Sequence, residues 1–271
     1  MPERPRVYKT EGVILRRRNI GEADSIFTVF SANEGKFDAI ARGVRKARSR
    51  MRGHLEPLTR SRMLLAQGRT LDVFTQVETI NPYRAIRDDL DRSAVALYCA
   101  ELIDRFTAVH DQDRPLYAHF LDVLDALETG APASVTRYFE IHLLDRVGYE
   151  LQLDACAVCA GRLAPEDTLL SASVGGFTCT GCRPGTTGGR VVSLRAMKVL
   201  RHIRTATIEE FARLRIDDSL ARELEAALGD IVRYVLEQEP RTRKFMDQVA
   251  SLPPRANQQE TGDVVELTPR P

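Results

Sequence analysis

Residues 60–77 read RSRMLLAQGRTLDVFTQV, and this stretch decides the fold. Arg60 to Ala66 is β-prone, Gln67-Gly68-Arg69 is a tight connection, and Leu71, Val73, Thr75 and Val77 alternate along a second run. Alternation at every second residue is the signature of a strand with one buried face. Working toward the N-terminus, Lys36 to Ile40 returns from an Glu34-Gly35 turn with Phe37 and Ala39 on one face. Ser25 to Phe30 (SIFTVF) is β-branched and aromatic, and Val13 to Arg18 follows Gly12. Five short strands in the first 80 residues fit a small barrel, which closes on itself and so leaves no exposed edge. A five-stranded barrel of the OB type is the preferred reading of this pattern, with an SH3-like barrel as the alternative.

After Asn81-Pro82 the apolar period changes. Val95, Tyr98, Leu102, Phe106 and Val109 recur at three- and four-residue steps, as do Leu116 to Leu127 and Val135 to Val147, the last ended by Gly148. These spacings predict three amphipathic helices. Helices resume after Ser193, Thr207 and Glu210 form a capping-box pair, and a last long helix carries Leu220 to Val235 before Pro240 stops it. Residues 253–271 are polar and Pro-containing, and are read as a disordered tail. The expected class is therefore α+β and multidomain: a barrel over residues 1–80, a helical domain over 81–252, and an inserted module over 153–186.

That module carries Cys156, Cys159, Cys179 and Cys182, two C-x2-C pairs separated by residues 160–178. The spacing is that of a structural zinc site. Two residues between cysteines let both sulfurs of one turn face one cation, and two turns complete a closed four-thiolate shell. Two disulfides, free thiols or an iron–sulfur cluster are the alternatives, and a reducing compartment disfavours the first. Cys99, set among Leu97, Tyr98 and Leu102, reads as a small buried hydrophobe, and His142 as an ordinary helix residue.

The formal net charge of +1 hides an asymmetry. Residues 1–80 hold 16 basic and 9 acidic residues, and the remaining 191 hold 23 basic and 29 acidic. Such a division points to one part that meets a polyanion. Arg42, Arg45, Lys46, Arg48, Arg50 and Arg52 place six cations in eleven residues with no acid among them, and Gly43, Ser49 and Gly53 make the run flexible. Arg16, Arg17 and Arg18 add a second cluster on the first strand. Phosphate neutralisation by such residues gives salt-sensitive, sequence-independent binding, while a solvated loop with no partner is the plainer alternative. Phe27, Phe30, Phe37 and Phe74 alternate with apolar residues and read as core, not as base-stacking platforms. No nucleotide-binding, hydrolase or zinc-protease motif occurs. Glu22 and Asp24 read as local hydrogen-bonding of a loop. With no apolar run long enough for a membrane span and no signal-like N-terminus, the expected location is cytoplasmic.

Glu11-Gly12-Val13-Ile14-Leu15, Gly21-Glu22-Ala23-Asp24-Ser25-Ile26, Glu34-Gly35-Lys36 and Ala41-Arg42-Gly43-Val44-Arg45-Lys46 occur in an order and spacing that resembles the N-terminal barrel of the RecO family of bacterial DNA repair proteins. The two C-x2-C pairs within helices resemble that family's zinc-bearing branch. The resemblance covers about residues 7–250. It implies a non-enzymatic, nucleoid-associated recombination mediator that binds single- and double-stranded DNA and anneals complementary strands. It further implies action with RecR and RecF to place RecA on DNA coated by single-strand-binding protein, whose acidic C-terminal tail docks in the helical part. DNA contact carries over onto Arg42, Arg45 and Lys46, with Arg48, Arg50 and Arg52 as extensions, and zinc onto the four clustered cysteines. A zinc-ribbon transcription or RNA-binding factor is the competing function.

Overall fold

The first strand closes the barrel by serving two partners. In the computed structural model, which describes residues 6–250, β1 (Val7–Ile20) pairs antiparallel with β4 (Arg60–Ala66) through its first half and with β2 (Asp24–Ser31) through its second. It starts well before the Val13 expected from sequence, because Val7–Gly12 pair with β4 and turn Tyr8, Thr10 and Gly12 inward, a face without the apolar alternation that marks a strand in sequence. A bulge at Leu15, between Ile14 and Arg16, bends the strand where it changes partner. β3 (Gly35–Ala41) pairs with β2, and β5 (Asp72–Asn81) pairs with β4 and, parallel, with β3. The order β1-β2-β3-β5-β4 is a closed OB-type barrel. Ile14, Phe27, Val29, Phe37, Ala39, Met63, Leu65 and Phe74 fill its interior, so the four phenylalanines are core, Phe30 packing instead toward the helices.

The alternation expected along β5 does not survive intact. Leu65 faces Phe74 and Leu64 faces Gln76, which leaves Thr75 as the extra residue of a bulge. The bulge flips the phase, so before it Phe74 points into the barrel in place of Val73 and Thr75, while past it Val77 faces in as expected.

Helices α1 (Arg84–Asp88), α2 (Leu90–Phe106), α3 (Arg114–Glu128) and α4 (Val135–Arg146) follow. Asp89 and Asp113 cap α2 and α3 by accepting backbone N–H groups. α2 ends at Phe106, and Val109, expected on it, is 65% exposed. The connector after α2 instead crosses the barrel, where His110 N–H donates to the Lys36 carbonyl at 2.7 Å. Gly35 is needed at that crossing: it has φ +63°, and a Cβ there would stand 2.2 Å from the Asp111 carbonyl oxygen. Lys36, almost fully buried, donates to the Asp104 backbone oxygen and lies 3.4 Å from its carboxylate. Val13, Leu15, Phe30 and Leu58 from the barrel join the core of the helical part, and Phe30 meets Tyr117 edge-on at 5.8 Å.

The cysteine segment contains a three-stranded sheet, β7-β6-β8, built from β6 (Thr168–Ser171), β7 (Gly176–Thr178) and β8 (Arg190–Val192). Then come α5 (Leu194–Ile203), α6 (Ile208–Ala212) and α7 (Asp218–Leu236). Thr207 and Glu210 form the expected capping box on α6. Pro240 does not stop the last helix. α7 ends at Leu236, with Glu237 left-handed, and Pro240 precedes a further helix, α8 (Arg241–Ala250). Proline lacks only an N–H that a helix start leaves unpaired, so it opens helices as readily as it ends them. The expected tail from Pro253 lies outside the described residues. No helix among the described residues is long and apolar enough to cross a membrane.

Candidate nucleic-acid interface and metal centre

The connection from β3 to β4 carries the basic run. All six of its cations, Arg42, Arg45, Lys46, Arg48, Arg50 and Arg52, are exposed. Among the described residues none of them forms an ion pair with a carboxylate. The loop is not loose, as its glycines led one to expect. Val44 and Leu55 are fully buried and join the barrel core from the loop. The carboxylate of Asp24, the first residue of β2, accepts the Gly43 N–H at 2.7 Å. Arg45 N–H donates to the Ala23 carbonyl at 2.9 Å, and its guanidinium to the Gly21 carbonyl at 3.1 Å. Gly43 itself has φ +65°, which a side chain would strain. Asp24 thus has the hydrogen-bonding role read from sequence, though its partner just past the end of the neighbouring β3 was not legible there. The signal that could have exposed the anchoring is Val44 and Leu55, two apolar residues in an otherwise polar loop.

The strand-one arginines stand in a different environment. Arg16 pairs with Asp104 of α2 at 2.8 Å. Arg17 bonds Asn19 and Ser25, lies 3.8 Å from Glu56, and sits 5.8 Å above the Phe27 ring. Arg18 is exposed. Two of these three charges are therefore answered internally, whereas the loop cations are not.

The four cysteines meet at one point: their sulfurs all lie within 4.8 Å of one another. Cys156 N–H donates to the Gly161 carbonyl, and Ala160 N–H to the Cys156 carbonyl, which curls the first turn. Cys182 and Arg183 N–H groups both donate to the Cys179 carbonyl, which curls the second. Cys179 N–H donates to Cys156 Sγ at 3.3 Å, and Cys159 and Cys179 Sγ are 3.8 Å apart. Four sulfurs at about 2.3 Å from one ion in a tetrahedron stand about 3.8 Å apart, so the cluster fits a tetrathiolate shell. Burial opposes ionisation of Cys156, but N–H groups of Cys179, Cys159 and Val158 outweigh it and bring the thiol down to about 6. Contacts with Cys179 and Cys159 push Cys182 up to about 12. A cation is what allows such neighbours to be thiolates together. These four residues can hold a metal ion, and no open position is left for a substrate. Cys99 is fully buried, and burial raises its thiol far above the ordinary value.

One further cluster has no signature in the sequence. His142 of α4 stacks on His119 of α3, with ring centroids 4.8 Å apart and planes 15° from parallel, beside Tyr138. One ring nitrogen of each, Nδ1 of His119 and Nε2 of His142, is buried without a hydrogen-bond partner among the described residues. No spacing rule links positions on two different helices, so no sequence signal could have paired them.

Comparison with known proteins agrees with this architecture. The family description "Recombination protein O N terminal" matches residues 6–83, and "Recombination protein O C terminal" matches residues 87–244. A DNA repair protein RecO from a Roseiflexus species is 36% identical over 250 residues, covering 92% of this chain and 88% of the relative. DNA repair protein RecO of Dehalococcoides mccartyi is 35% identical over 248 residues, covering 91% and 98% respectively. That of Pelotomaculum thermopropionicum is 32% identical over 248 residues, covering 92% and 96%.

Proposed function

The chain belongs to the RecO family of DNA repair proteins, and from that premise we propose that it is a cytoplasmic, nucleoid-associated recombination mediator and not an enzyme. It binds single- and double-stranded DNA through the loop cations Arg42, Arg45, Lys46, Arg48, Arg50 and Arg52. Arg16 and Arg17 play a lesser part, because Asp104 and Glu56 already answer their charge. Neutralising the phosphates of two strands lowers their repulsion and lets complementary bases pair. The division of labour follows the chain: residues 1–80 for DNA, 81–252 for proteins, and 153–186 as the metal module. The protein partners are RecR, with RecF, and the acidic tail of single-strand-binding protein, and the outcome is RecA on single strands. Cys156, Cys159, Cys179 and Cys182 would hold zinc, which when bound cross-links the two cysteine turns.

The observation that carries this reading is a dense set of exposed cations on a barrel loop, free of acidic partners among the described residues, in a chain whose remainder is acidic. The test is annealing of complementary strands over a salt series. Annealing and DNA affinity are expected to fall steeply with salt, since each phosphate neutralised adds about −0.7 to −0.9 to the log–log slope. Reversing Arg42, Arg45 and Lys46 together to glutamate is expected to abolish annealing with RecR binding intact. Annealing that survives this triple change overturns the assignment of the loop.

A further inference from the structure

We propose that Asp24 is a positioning residue for DNA binding: it holds the basic loop in the shape that meets phosphates. The inference rests on the reading of that loop as the DNA contact. Three bonds join the β1–β2 turn and the first residue of β2 to the start of the loop. Asp24 Oδ1 accepts the Gly43 N–H at 2.7 Å, the Ala23 carbonyl accepts the Arg45 N–H at 2.9 Å, and the Gly21 carbonyl accepts the Arg45 guanidinium at 3.1 Å. The first and the third are made by side chains, but only the first can be deleted without also removing a loop cation.

The geometry gives this bond leverage. Gly43 lies between Arg42 and Val44. Val44 is sunk in the barrel core, while Arg42, Arg45 and Lys46 are exposed around it. Gly43 is left-handed, φ +65°, and a carboxylate on its N–H fixes that peptide plane. The turn continues in register, with Lys46 N–H on the Gly43 carbonyl at 3.1 Å and Ser49 N–H on the Lys46 carbonyl at 3.0 Å. The peptide plane at Gly43 therefore sets the direction in which the cations leave the barrel. A loop ordered before binding has less conformational freedom to lose on the strand.

Charge alone predicts the opposite sign. Asp24 is an acid beside a polyanion-binding loop, so removing it should tighten DNA binding if it acts only through its field. Positioning predicts that removal weakens binding, because apparent affinity falls with the fraction of chains holding the competent loop. Asparagine separates the two, since its side-chain oxygen still accepts the Gly43 N–H without the charge.

The experiment uses the full chain and measures anisotropy of a labelled oligothymidylate, with melting curves to confirm folding. Asp24→Ala is expected to weaken binding roughly three- to tenfold, as a competent fraction of about a third to a tenth would give. Asp24→Asn is expected to bind at least as tightly as the parent chain. Brief trypsin treatment of the free protein is expected to cut within residues 42–52 faster in Asp24→Ala than in Asp24→Asn. Gly43→Ala, which loosens the same peptide from the other side, is expected to weaken binding and decides the matter if Asp24→Ala does not fold. Parent-like or tighter binding by Asp24→Ala and Gly43→Ala overturns the proposal, as does equal weakening by Asp24→Ala and Asp24→Asn. The glutamate triple change reports separately on the loop: if it leaves binding unchanged, the loop is not the DNA contact and the underlying reading fails instead.

Discussion

Ala160 follows the first cysteine pair with φ +57°, a backbone region that costs an L-residue about 1–2 kcal/mol and glycine nothing. It is held there because its N–H closes the turn around Cys156. Ala160→Gly is expected to raise stability by about 0.5–1 kcal/mol after the extra freedom of glycine in the unfolded chain is subtracted, as read from urea unfolding. The His119–His142 pair sets a second expectation. Burial holds both imidazoles below the ordinary value, His142 at about 4 with His119 beside it opposing a second charge. Asp122, Asp113 and Arg146 act on His119, the Ile203 backbone bonds His142, Tyr138 packs on both rings, and Glu209 reaches the pair only through Asp122 and Tyr138. A depressed imidazole contributes stability above about 6.5 that is lost as pH falls toward 4. His142→Gln is expected to flatten this decline, by at most about 2 kcal/mol given the partial solvent access of the ring, measured by chemical unfolding at a series of pH values.

Among the elements, α8 shows how a side chain from one helix starts another. The Glu101 carboxylate on α2 accepts the N–H groups of Arg241 and Thr242 at 2.8 and 2.7 Å and the Thr242 hydroxyl at 2.5 Å. Burial works against its charge, but these bonds prevail and hold the carboxyl below the usual range. Glu101→Ala is expected to cost about 1–2 kcal/mol, the scale of a lost helix cap, and to speed hydrogen exchange of α8 amides before those of α2. The sign with pH follows: this stability is present above the usual carboxylate pKa and is lost on acidification through the lower folded value. A cap within one element was legible, as the Thr207–Glu210 pair shows. This one was not, because its donor and acceptor are 140 residues apart.

For the molecule as a whole, the metal module is part of the main core. Leu153, Cys156, Leu163, Leu170, Phe177 and Val192 pack in the same cluster as Phe139 and Leu143 of α4 and Leu224 and Leu228 of α7. Chelation is therefore expected to lower the melting temperature of the helical part, and not merely to loosen a hanging finger, because metal binding to such sites is coupled to folding. The basic loop is anchored on a separate cluster, the barrel core, so chelation is expected to affect DNA affinity less than helical stability. Parallel calorimetry and anisotropy with and without chelator check both statements.

What the sequence determined by itself was whatever depends on neighbours along the chain. Strand and helix periods, the capping box, the C-x2-C turns and the charge asymmetry are all local, and each was readable with the OB-type barrel they imply. What only the tertiary structure decided was phase and partnership across distance. The bulge at Thr75 switched the inward face of β5 on its N-terminal side, Asp104 and Glu56 answered the strand-one arginines, and Asp24 reached the loop at Gly43. A residue's type and spacing fix its local preference, but closure of the barrel and packing of the helices bring together groups whose meeting no period along the chain encodes.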